Sequence, residues 1–219
     1  MNDLVLVCAG GLGKETLFQL HEINKQKPAY RILGFVDDNE QLHGREIHGV
    51  PVIGATTSLL QYNKETSVCL CAGSPFVRNK LYQLLRVNPN LSFPSIIAPN
   101  VIMSEFVQIG RGSIIAFSCV LTADIVIGDF VLVSNACTIG HDAQLGDYAT
   151  LYPAVNISGA VKIGEYAQVG VGSQILQGIS IGAESFIGAG SVVLNNVEPG
   201  CTAVGVPAKI VKQKNKGAF

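Results

Sequence analysis

The sequence predicts an α/β unit with a parallel sheet, followed by a β-solenoid in the form of a parallel β-helix wound from six-residue repeats. Three observations lead there. From Ile97 to Val193 an aliphatic residue recurs at every sixth position through seventeen consecutive matches, a period that fits neither a helix nor an isolated strand. Ahead of that run, apolar stretches ending in Gly-rich or acidic turns alternate with helical patterns, the order of a parallel α/β sheet. The chain is also 48% apolar and only 14% charged, well under the roughly 25% charge of an average globular chain, which suits a stack of aliphatic side chains.

The first strand is the continuous apolar run Leu4 to Val7, which feeds Cys8, Ala9, Gly10, Gly11, Leu12 and Gly13 and then a helical stretch with Leu17, Leu20 and Ile23 on one face. A second strand, Arg31 to Val36, ends in Asp37 and Asp38; a third, Val68 to Ala72, closes in Gly73, Ser74 and Pro75 before a helix over Phe76 to Arg86. In such a Rossmann-like unit, placed over residues 1–90, ligands bind beyond the carboxyl ends of the strands, where all three turns sit. A dinucleotide fingerprint needs glycine at position 8, and Cys8 stands there. Two readings stay open. The glycines make only a tight turn, or backbone N–H groups at the helix start cradle a diphosphate while Asp37 or Asp38 accepts hydrogen bonds from a ribose or base. About four strands are too few for a full two-lobed NAD domain, so a mononucleotide or sugar nucleotide is the expected ligand.

The solenoid is expected over 91–210, with a tail over 211–219. The position four residues after each aliphatic is small or β-branched, as at Ser113, Cys119, Cys137, Ala149, Ala167, Ser173 and Ser191. Glycine follows the aliphatic at 110, 128, 140, 146, 164, 170, 182 and 188. Cys119 and Cys137 stand eighteen residues apart, one turn of a three-sided coil, and so should stack on adjacent rungs as buried thiols.

Six cysteines in a chain this rich in core read as small hydrophobes, not a disulfide framework. The formal net charge of -1 offers no basic field for nucleic acid or an anionic membrane, apart from a short lysine-rich end at Lys209, Lys212, Lys214 and Lys216. The apolar run after Asp3 breaks at Gly10, too short for a membrane span or signal peptide. A cytoplasmic location is expected.

His141 is the one histidine within the repeats. As third residue of Ile139-Gly140-His141 it points out of the coil. One coil later stands Gly159 and one coil earlier Ala123, so the flanking rungs leave a recess over the imidazole. Asp142 is placed to hold the other ring nitrogen, which leaves a neutral imidazole able to accept a proton. The plain alternative is an exposed polar residue without a role. A lone repeat histidine argues against the trimeric β-helix carbonic anhydrases, which hold zinc with three, and no metal is expected.

At these residues the chain resembles the bacterial sugar O-acyltransferases of the sialic acid O-acetyltransferase type and the N-acetyltransferases of nucleotide-linked 4-amino sugars. The resemblance rests on Gly140-His141-Asp142 with Leu145-Gly146-Asp147, on Val204 to Lys209, and on Ala9 to Gly13 with Gly34 to Asp38. It implies a left-handed β-helix and a homotrimer, with acetyl-CoA lying between neighbouring solenoids. It also implies His141 as general base, supported by Asp142; Thr150, Gly159, Val171 and Ala189 along the acetyl-CoA cleft; and Gly10, Gly11, Leu12, Gly13, Asp37, Asp38 and Gly73 around the sugar nucleotide. Three positions depart from that pattern. Leu12 and Thr150 stand where many relatives carry histidine, and Ser134 where asparagine is usual, with Asn135 one place later. The expected function is acetyl-CoA-dependent acetylation of an amino or hydroxyl group on a sugar for bacterial surface glycan synthesis. The alternatives are acylation of a free sugar or amino acid, or a non-catalytic β-helix scaffold.

Overall fold

The computed structural model describes residues 1–213, which divide into two compact units, Met1–Pro99 and a second that begins at Asn100. In the first, β1 (Asn2–Val7) is the central parallel strand, because Leu4 to Val7 have no exposed surface and need neighbours on both sides. It leads through a turn into α1 (Gly11–Gln26) and back to β2 (Tyr30–Val36), which pairs with β1 in parallel. A small hairpin, β3 (Glu46–Ile47) and β4 (Val50–Pro51), precedes β5 (Thr66–Leu70), which pairs with the other edge of β1. After α2 (Pro75–Leu85), β6 (Leu91–Ser92) completes the sheet in the order β2-β1-β5-β6. Residues 91 and 92, expected at the start of the solenoid, are therefore the last strand of the α/β sheet. The chain leaves β1 toward β2 and returns to β5 on the opposite side, so the crevice between the carboxyl ends of β1 and β5 is the topological switch point.

The second unit is a three-sided parallel solenoid. Two-residue strands recur every six residues and each ends on one of the periodic aliphatics, from Ile102–Met103 to Val192–Val193. From Ile102–Met103 to Gln174–Ile175 each strand pairs in parallel with the strand eighteen residues on, as in Thr138↔Asn156 and Ile139↔Ile157, and the last coil closes at sixteen, as in Phe186↔Thr202. One face carries Leu132–Val133 and Thr150–Leu151, the next Thr138–Ile139 and Asn156–Ile157, the third Gln144–Leu145 and Lys162–Ile163. From Ile115 to Val193 the aliphatics are 0–3% exposed, whereas Met103 at the first coil is 43% exposed because no rung lies beyond it. The small residues between them are buried as expected, and serine is tolerated there because its hydroxyl is bonded: Ser173 Oγ donates to the Gly188 carbonyl at 2.9 Å. Cys119 and Cys137 lie buried on adjacent rungs, and all six cysteines are free thiols.

The repeat glycines are explained by coil spacing. A Cβ on Gly146 would sit 2.7 Å from the Glu165 amide nitrogen, and one on Gly164 2.5 Å from that of Ala183. The corners turn through left-handed residues such as Asp142 (φ 60) and Ala160 (φ 56). At the end of the solenoid Lys209–Gln213 folds back antiparallel on Cys201–Val204, so the expected tail begins within a strand, and its residues 214–219 lie outside the described residues. No helix among the described residues is long and apolar enough to cross a membrane.

Candidate active site

His141 occupies the corner between the Thr138 face and the Gln144 face. Its Nδ1 lies 2.7 Å from Asp142 Oδ2. Adjacent side chains usually diverge, but the left-handed backbone at Asp142 turns its carboxylate back onto the preceding residue. A carboxylate accepts, so Nδ1 is the donor in that contact, and a neutral ring would then carry its lone pair on Nε2. Both side chains remain open to solvent, at 58% and 62% exposure. The ring lies over Gly159. A Cβ built there would come 2.5 Å from His141 Nε2 and 2.6 Å from Cε1. Gly159 has no positive φ to justify glycine, so the recess itself is the reason for it. The His141 carbonyl accepts from the Ala160 N–H at 2.7 Å, which fixes the corner from the next rung.

The other residues expected to line a cleft are distributed around the prism. Val171 and Ala189 occupy the far corner of the Thr138 face, both exposed. Thr150 sits on the Leu132 face with 0% exposure, away from the two faces that meet at His141. Asn135, next to Ser134, serves the coil: its Oδ1 accepts from the Phe117 N–H at 3.1 Å. A groove of about 670 Å³ along the Gln144 face was not anticipated from the sequence. Gln144, Lys162 and Ser180 line it, one per rung, with Gly128, Gly146 and Gly164 beside them. The signal was present in the outward position preceding each aliphatic, read at intervals of eighteen.

In the front unit the glycines separate into two kinds. A Cβ on Gly13 would lie 2.2 Å from the Cys8 carbonyl oxygen, so α1 packs on the turn only with glycine there. Gly10, Gly11 and Gly73 would meet nothing within 4 Å and have no left-handed backbone. Cys8 takes the left-handed conformation instead (φ 76). Burial pushes its thiol up to about 12, and Cys71, Asp37 and Asp38 act in the same direction. Leu12 leads the first turn of α1, where its carbonyl accepts from Thr16 Oγ1 at 2.8 Å. Asp37 Oδ2 accepts from the Ala9 N–H at 2.8 Å and Oδ1 from the Asn39 N–H at 2.9 Å. This carboxylate ties the end of β2 to the glycine turn. Asp38 Oδ1 accepts from the Thr56 N–H at 2.9 Å. The N-cap Gly10 gives α1 no side-chain cap, so its first amides keep donor capacity at the switch point. Among the described residues, no group of His, Cys, Asp and Glu is placed to hold a metal ion.

Residues 3–85 match the PglD N-terminal domain, and residues 160–195 match the bacterial transferase hexapeptide (six repeats). The structure is similar to that of PerB from Caulobacter crescentus in complex with CoA and GDP-perosamine, with a TM-score of 0.88 and 28% identity over 97% of this chain and 98% of that one. It is also similar to the acetyltransferase domain of PglB from Neisseria gonorrhoeae FA1090 in complex with acetyl coenzyme A, with a TM-score of 0.87, 27% identity, and 96% and 100% of the two chains covered. WeeI from Acinetobacter baumannii AYE matches with a TM-score of 0.86 and 27% identity over 96% of this chain and 100% of that one. No curated protein matches the sequence.

Proposed function

We propose that this chain, whose domain matches and structural likenesses support a hexapeptide-repeat sugar acetyltransferase, moves the acetyl group of acetyl-CoA onto the amino group of a nucleotide-linked amino sugar used for surface glycan synthesis. The observation that carries the reading is the His141–Asp142 pair lying over Gly159. Acetyl-CoA supplies a thioester carbonyl. His141 Nε2 accepts the proton that the amine loses as its nitrogen bonds to the acetyl carbon, and the Asp142 carboxylate steadies the imidazolium. As the C–S bond breaks, His141 returns that proton to the departing thiolate. Backbone N–H groups along the cleft stabilise the charge that develops on the carbonyl oxygen. The recess suits such a ligand, because any side chain at position 159 would fill the space beside Nε2.

The amine is preferred over a hydroxyl acceptor because PerB, similar over nearly the whole chain, is described as binding GDP-perosamine and as a perosamine N-acetyltransferase. The front unit supports the nucleotide: Gly10, Gly11 and Gly73 are glycine without a packing or φ requirement, which leaves backbone open to close approach by a ligand. Both Asp37 oxygens accept from backbone amides, whereas Asp38 is engaged through Oδ1, so Asp38 is the acid assigned to ribose or base. A homotrimer, with acetyl-CoA along the groove between neighbouring solenoids, gives Lys162 on the Gln144 face a phosphate-binding role. A reaction that draws on acetyl-CoA supports the expected cytoplasmic location.

The test is release of CoA thiol on mixing the protein with acetyl-CoA and UDP-, GDP- or dTDP-linked 4-amino-4,6-dideoxy sugars. Turnover with one of these, and none with its 4-hydroxy counterpart, is expected. Acetylation of free sugars or amino acids alone, by a folded protein, overturns the reading.

A further inference from the structure

We infer that Arg78 is a positioning residue for the acceptor's diphosphate, acting through the turn Ala72–Gly73 and selecting a nucleoside diphosphate over the bare nucleoside. The inference rests on the reading that the front unit holds a sugar nucleotide.

Arg78 is 1% exposed and is the largest fully buried side chain among the described residues. Burying a guanidinium, which stays charged at any physiological pH, is costly unless its donors are used. Here Nη1 donates to the carbonyl oxygens of Ala72 at 2.8 Å and Gly73 at 2.9 Å, while the Arg78 amide donates to the Ser74 carbonyl at 3.0 Å. The side chain thus reaches back from the first turn of α2 to hold the segment that leaves β5. That segment is one wall of the switch point, opposite the Gly10–Gly13 turn that leaves β1.

Two electrostatic consequences follow for anything bound there. Carbonyl oxygens carry partial negative charge, and two of those in this wall are turned onto the guanidinium, which removes their repulsion for an anion. A full positive charge also stays fixed beneath the wall in a poorly screening interior, where its field reaches further than that of a solvated lysine. Across the crevice, Gly10 and Gly11 carry no side chain and need none, and Gly73 is equally unobstructed. The base and ribose of a nucleotide gain nothing from a buried positive charge. The diphosphate does.

Calorimetry on the full chain compares GDP and UDP with guanosine and uridine, in wild type, Arg78→Met and Arg78→Lys. The wild type should bind the preferred diphosphate at least about tenfold more tightly than its nucleoside, the scale of one poorly screened charge acting across the turn. Arg78→Met should lose that increment and Arg78→Lys, which keeps the charge, should retain most of it. In steady state Arg78→Met should raise KM for the sugar nucleotide about ten- to a hundredfold while kcat and KM for acetyl-CoA stay put, because binding common to ground and transition states is lost. If Arg78→Met does not fold, Arg78→Gln takes its place, keeping an N–H donor for the carbonyls without the charge. A variant with a lowered Tm but an unchanged diphosphate increment overturns the inference. So does a wild type that binds nucleoside and diphosphate alike. A wild type that binds neither overturns the sugar-nucleotide reading itself, and this inference with it.

Discussion

The two units carry chemistry in different ways. In the solenoid, folding information is repeated at every sixth position and points inward, while His141 and Asp142 point outward from a corner whose backbone is shared with every other rung. The site is an addition to a fold that does not need it. In the front unit the residues proposed to face the sugar nucleotide are also structural: Asp37 holds the Ala9 amide, Gly13 admits α1 against the Cys8 carbonyl, and Arg78 holds the turn after β5. Changes at the solenoid site should therefore separate activity from stability, and changes at the front edge should not.

The sharpest way to break that contrast is Gly159→Ala. The three atoms nearest its Cβ would all belong to the His141 ring, so the imidazole must move while the coil stays closed. An expected fall in kcat on the order of a hundredfold or more, the scale of a misplaced general base, should accompany a Tm close to wild type. A Tm loss as large as that of a core substitution would mean that the corner is structural after all. Asp142→Ala should cost about tenfold in kcat, from loss of one solvent-exposed charge-assisted hydrogen bond, again with little change in thermal unfolding.

In the front unit, Asp37→Ala leaves the Ala9 and Asn39 amides without their acceptor. The expected loss is about 1–3 kcal/mol of stability, read by urea unfolding, together with a raised KM for the sugar nucleotide. If activity alone changed, the claim that binding and folding share residues there would fail. The smallest effect is at Cys8. Its folded thiol, at about 12, holds a proton more tightly than the ordinary value of 9.0. The stability this contributes is complete below about pH 9 and is lost as pH rises toward 12. Alkylation by iodoacetamide near neutral pH should leave Cys8 untouched until the protein unfolds, and rapid native modification would contradict the assignment.

The same contrast governs what could be read from the sequence. The solenoid was legible because its period is local: each of the aliphatics from Ile115 onward is buried without reference to any distant residue. His141 and Gly159 stood out for the same reason, since eighteen-residue spacing gives their neighbours directly. The contact between His141 and Asp142 depended on a left-handed φ at Asp142, which side-chain chemistry alone does not announce. The groove lined by Gln144, Lys162 and Ser180 was missed because polar outward positions look like ordinary solvated surface. In the front unit, Leu91–Ser92 was misassigned because a two-residue strand is defined by its partner Thr66–Ser67 and not by its own pattern. The commitment of Asp37 to Ala9, and of Arg78 to Ala72 and Gly73, likewise exists only once the sheet has brought its turns together.

The central claim is that His141 performs the proton transfer at a corner the fold does not depend on. Measuring kcat and Tm for His141→Ala in one preparation tests it most directly. The account predicts a kcat lowered on the order of 10²- to 10⁴-fold, the usual contribution of a general base, with Tm unchanged within a degree or two, as for an exposed substitution. Near-wild-type turnover, or a loss of activity that tracks a loss of fold, would contradict it.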